Sequence, residues 1–214
     1  MNNLIVKIFS FVIMVSIISC SVKKKEMTVE TKDNPLIEEL YLKDIKIREL
    51  DVKNDTINLE NYDKVHREQI FQLLAENKVV TNRDKIRAAW ILQHTAAKFC
   101  DGELTSISPE NFLLAYKLSS TALSQLEMKK DTLTIRKENI PRIVALNYDR
   151  YLLFTFGYQK FGTQFVFDDK TDEMILAPID TTLSSDEERK KFNVEPLNVL
   201  LNKYKIKPMR SLKQ

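Results

Sequence analysis

Apolar residues in this chain form one nearly continuous run and then a series of periodic stretches. The run is Ile8 to Ile18, interrupted only by Ser10 and Ser16 and preceded by Lys7. From Ser21 to Asp33 the chain is polar and charged with no apolar period, which predicts a tether rather than packed structure. Periodicity resumes at Asn34-Pro35. Asn caps a helix, Pro suits its first turn, and Glu38 and Glu39 lie near the positive end of its dipole. This helix carries Leu36, Leu40, Ile47 and Leu50. Asp44 and Arg48, one turn apart, are expected to form a surface ion pair.

Asp55 to Glu60 reads as a loop, followed by a second helix from about Asn61 to Asn77 with Tyr62, Val65, Gln69, Ile70, Leu73 and Leu74 at helical spacing. Thr81 and Asp84 make a capping box for a third helix, expected over Asn82 to Phe99 and stopped by Asp101-Gly102. That helix is apolar almost all round, the mark of a central buried element. Ser108-Pro109 opens a fourth helix, and a fifth spans roughly Ile140 to Phe156, closed by Gly157. The period then changes to two. Lys160 to Phe167 and Glu173 to Pro178 are expected as strands around the turn Asp168 to Asp172. Ser184 opens a short charged helix, with Asn193 in the left-handed position after it. Glu195-Pro196 opens a last amphipathic helix. The fold class is mainly α with one small β-hairpin (α+β). It forms a single domain over 34–206, with a basic tail at 207–214.

The leading apolar run falls short of the roughly 20 residues that span a bilayer. With its cationic start and small residues at its exit, it reads as a secretory signal over 1–19. Ile17-Ile18-Ser19-Cys20 resembles a bacterial lipobox, which makes Cys20 the lipidated first residue of the mature chain and the membrane its partner. By resemblance to the enterobacterial lipoprotein sorting rule, Ser21, rather than Asp, favours the outer membrane. Lys23, Lys24 and Lys25 differ from acidic surface-export tags and point to the periplasmic face.

Loss of Lys7 lowers the net charge from +3 to +2, too little bias for a nucleic-acid binder. With Cys20 acylated, Cys100 has no partner for a disulfide. Three glycines and two histidines leave no phosphate loop, dinucleotide fingerprint, HExxH or CxxC pair. No cofactor or metal is expected.

Candidate chemistry comes from polar residues on apolar faces. His94 follows Ile86 and Trp90 down one helical line, with Gln93 beside it. Asp149 and Arg150 interrupt the apolar face of the fifth helix. Buried charges require partners. These residues also carry a likeness. Ala89-Trp90-Ile91-Leu92-Gln93-His94, then Asp149-Arg150, then Gly157-x-Gln159-x-Phe161-Gly162-Thr163-Gln164 resemble the signature of the bacterial family called domain of unknown function 6624. The likeness runs from about Leu36 to Tyr204, with Asp44, Arg48, Asp180 and Arg189 matching further positions. Phe161 stands where that pattern has Tyr, and Asn193 where it has Gly. Asn77 to Thr81 lacks its Gly-Trp-Pro. The resemblance names a site without naming its chemistry.

The expected function is a binding or interaction module of the cell envelope. Its site is Gln93, His94, Asp149, Arg150, Gln159, Gly162, Thr163 and Gln164, and its ligand an envelope glycan, a peptide or a small anion. The rival is a hydrolase, with His94 as general base oriented by Asp149 and Arg150 stabilising an oxyanion. The bland alternative is a structural polar network that binds nothing.

Overall fold

The structure, a computed structural model, describes residues 32–51, 58–95, 97–100, 103–106 and 108–208. The expected signal, Cys20, most of the tether, the Asp101-Gly102 stop and the end of the basic tail lie outside these residues. Helix α1 spans Pro35–Asp51, α2 Leu59–Ala75 and α3 Asn82–Leu92. Strands β1 (Ala97–Cys100) and β2 (Glu103–Ser106) pair antiparallel. Helices α4 (Pro109–Met128), α5 (Thr132–Lys137) and α6 (Ile140–Phe156) follow. A second antiparallel hairpin joins β3 (Phe165–Asp168) to β4 (Glu173–Leu176), before α7 (Asp186–Lys191) and α8 (Leu197–Lys203). The fold is mainly α with small antiparallel hairpins. No helix among the described residues is long and apolar enough to cross a membrane.

The central role expected of α3 is observed. One side of it packs Ala88, Ala89, Ile91 and Leu92 against Ile37 and Leu40 of α1, Ile70 and Leu73 of α2, and Ala115 of α4. On another side, Ile86 joins Ala122, Leu123 and Leu126 of α4 and Ile140, Ile143 and Val144 of α6. Each fully buried aliphatic side chain here contributes about 1.5–3 kcal/mol. The Thr81–Asp84 capping box is formed, and the Thr81 hydroxyl also donates to Asp33. Asp33, expected in the tether, is thus held at the domain edge. At the other end, Lys207 N–H donates to Leu176 and carries ordered pairing one residue past the expected boundary.

Three expectations change. The third helix ends at Leu92, not near Phe99, and a second hairpin occupies 97–106. The carbonyls of Gln93 and His94 accept from the guanidinium groups of Arg150 and Arg67, not from amides a turn onward. The arginines so replace the helix ladder that would have continued. The buried stripe of α2 runs through Asp63, His66, Ile70 and Leu73, while Tyr62 and Val65 face solvent. A small helix, α5, capped by Asp131, lies where the sequence has no clear apolar period.

Candidate functional site

Asp44 lies on the core line of α1 with Ile37 and Leu40 and is only 1% exposed. The ion pair with Arg48, expected at the surface, therefore has its acid end buried and its guanidinium half-buried. Its carboxylate receives Arg48 through Nε and Nη2 at 3.3 and 3.1 Å, Trp90 Nε1–H at 3.1 Å, and His94 Nδ1 at 3.1 Å. Burial pushes this carboxyl up, but the hydrogen bonds from His94 and Arg48 outweigh it and hold it below its ordinary value. Arg48 Nη2 also reaches Asp63 on α2. There burial wins: it lifts the Asp63 carboxyl to about 6 against the pull of Arg48, and Asp44 adds to the rise. Burial lowers the proton affinity of His94 more than Asp44 restores it. The ring is thus neutral at neutral pH. Its Nδ1–H donates to Asp44, leaving Nε2 as an acceptor 3.5 Å from the Gln93 amide nitrogen.

Asp44, Asp63 and His94 bring one ligand atom each within 4.8 Å of one another. A divalent ion could use that spacing, but the Arg48 guanidinium already bridges the two carboxylates, so the protein supplies its own cation. His66, on the same stripe of α2 as Asp63, has no hydrogen-bond partner for its buried Nδ1 among the described residues.

Two further arginines meet at the carbonyl end of α3. Arg67 donates to His94 O at 2.7 Å, and Arg150 donates to Gln93 O. Arg150 also gives Nε–H to Gln164 Oε1 at 3.1 Å. Among the described residues neither arginine has a carboxylate within ion-pair distance. Burial, with Arg48 nearby, pulls Arg150 down to about 10, still protonated at neutral pH.

Asp149 belongs to a different structure. Its Oδ1 accepts from the amides of Lys160 and Phe161, both at 2.8 Å, and its Oδ2 from the amide and hydroxyl of Thr163 at 2.9 and 2.8 Å. All four acceptor directions are filled by the loop after Gly157, which closes α6 in the left-handed conformation at φ 81°. Asp149 does not orient His94 as the sequence suggested; Asp44 does. The carbonyl of Phe161 accepts from Arg189, whose buried guanidinium also donates to Glu195 O and Ser184 Oγ. One residue, Phe161, thus separates a buried acid from a buried base. Gln159, 0% exposed, pins the same loop to Gln164 and Ala177 through its amide. Gly162 (φ 74°) meets Leu200 so closely that a Cβ would lie 2.2 Å from its Cδ2. Asp180 caps its own loop through Thr182.

The eight expected site residues therefore divide. Gln93, His94 and Arg150 gather at the end of α3 with Asp44, Arg48, Asp63 and Arg67. Asp149, Gln159, Gly162 and Thr163 build the loop, and Gln164 joins the two groups. Gln164 Nε2 donates to Thr163 Oγ1 at 3.0 Å, and that hydroxyl donates to Asp149. Every hydrogen in this chain points from Arg150 toward Asp149. Asp63 and Arg67 were missed, although Asp63, Ile70 and Leu73 share a helical stripe that would have placed the acid inward.

Among the described residues, one cleft of about 300 Å³ is walled by Thr81, Arg83, Arg87 and Glu138. Another, of about 220 Å³, is lined by Gly162, Thr163, Arg142 and Arg189. Neither includes His94 or Arg150. The chain matches no family model, no curated protein and no solved structure.

Proposed function

We propose that this chain is an envelope-tethered binding module whose ligand carries an anionic group, taken by Arg150 and Arg67 beside His94. One observation carries the reading: the guanidinium of Arg150 is half-buried, yet its described hydrogen-bond partners are all neutral oxygens. A half-buried cation without a counter-charge is costly, and a ligand carboxylate or phosphate would offset that cost. Arginine presents a planar fork to such groups, and the neutral Nε2 of His94 can accept from a hydroxyl or amide beside them. Attachment through lipid on Cys20 would set the module among glycans and peptides that bear such acids. Calorimetric titration of the whole chain with inorganic phosphate and with acidic muropeptide fragments tests this. Arg150→Met should weaken binding about tenfold or more. Equal affinity in the variant, or no binding by the parent chain, would reject the reading.

A second reading rests on the His94–Asp44 pair. A carboxylate fixed by Trp90 and Arg48 and bonded to imidazole Nδ1 leaves Nε2 to take a proton from water, as a hydrolase requires. Turnover of esters or amides that Asp44→Asn abolishes, with binding retained, would favour it over simple binding.

A further inference from the structure

We infer that Gln164 is the specificity-determining residue of this site, and that it reserves the charge of Arg150 for the ligand. The inference rests on the anion reading above. Gln164 Oε1 lies 3.1 Å from Arg150 Nε, the position at which a carboxylate would make an ion pair and quench the cation. An amide gives the same geometric hold without the charge.

The amide cannot turn over. Its Nε2–H donates to Thr163 Oγ1, and the single hydroxyl proton of Thr163 is directed to Asp149 Oδ2 at 2.8 Å. A flipped amide would set N–H against the N–H of Arg150 and its oxygen against an oxygen with no proton left to give. The orientation is fixed from Asp149 outward. Asp149 itself is fixed by three backbone amides of the loop. The negative charge of Asp149 is thereby spent on the loop amides and the Thr163 hydroxyl. Its neighbour in sequence, Arg150, is left with neutral acceptors only. Gln93 O, the other described acceptor on Arg150, is a backbone carbonyl and cannot change charge by substitution. Residue 164 is therefore the point in this hydrogen-bond chain at which a single side chain decides whether the site is cationic or neutral.

The test compares inorganic phosphate binding to the whole chain and to three variants over a range of ionic strength. The parent should bind with a marked salt dependence, as an uncompensated cation implies. Gln164→Glu should lose about tenfold or more in affinity and most of that salt dependence. Gln164→Met, which removes the hold but adds no charge, should lose only about threefold and keep the salt dependence. Arg150→Met should behave like Gln164→Glu. A Gln164→Glu variant that binds like the parent overturns the inference while leaving the anion reading intact. So does a Gln164→Met variant as weak as Arg150→Met, which decides the matter even if Gln164→Glu fails to fold. A parent chain that binds no phosphate overturns both.

Discussion

At the scale of single residues, burial raises both Asp63 and Asp44, and their partners decide the outcome: Asp63 ends above its ordinary value and Asp44 below it. The Asp63 carboxyl titrates near 6 in the fold against 3.8 as a free side chain. A raised acid binds its proton more tightly in the native state. Its contribution to stability is therefore complete below about 3.8 and is lost as pH rises through about 6. Asp63→Asn should remove this slope. Denaturant melts between pH 4 and 7 should show the parent losing stability relative to the variant, by ~1.4 kcal/mol per unit of the shift. A constant gap would mean that Arg48 keeps Asp63 ionised throughout. Asp44 shows why the sequence misleads at this scale. Its spacing from Arg48 is that of any surface pair. What places it inside is Ile37 and Leu40 on the same line and the indole N–H of Trp90 reaching it from α3. His94→Gln and Asp44→Asn should therefore be non-additive, with a coupling of about 0.5–3 kcal/mol. Additive effects in thermal melts would deny the pairing.

At the scale of elements, α3 has both ends fixed by side chains, and only one end was legible. The Thr81–Asp84 box is a local sequence pattern, and the helix starts where it predicts. Thr81→Ala should cost about 1 kcal/mol, or ~2–4 °C in melting temperature. No local pattern announces the other end. Arg67 and Arg150 come from α2 and α6, distant in sequence, and Ala96 and Ala97, good helix formers, follow the point where they stop the helix. The loop after α6 was legible as a motif but not as a structure. Its polar residues read as ligand contacts because sequence cannot show that backbone amides already fill Asp149. Asp149→Asn would place an amide N–H against two of those donors and should cost about 3–5 kcal/mol, readable in urea titration. A loss under 1 kcal/mol would show that the loop holds without it.

At the scale of the whole molecule, the periodicity of the chain predicted the helical class, the central helix and the β3–β4 hairpin. What it could not predict were contacts between segments far apart in sequence. Gly162 is one of them. Alanine there would meet Leu200 of α8 and strain a left-handed backbone, so Gly162→Ala should destabilise by about 2 kcal/mol or more. Leu200→Ala in the same chain should recover part of that loss. Lack of any recovery would place the strain in the backbone alone.

The backbone of Phe161 sits between Asp149 and Arg189, which gives the fold an order in time as well as in space. A growing chain reaches Asp149 and its loop well before it reaches Arg189. Until α7 has been made, the Phe161 carbonyl lacks the guanidinium that fills it. Until α8 has been made, Gly162 has no Leu200 to rest on. A polypeptide cut short before α7 would present that loop unlatched, so a protease could tell finished chains from unfinished ones at Phe161.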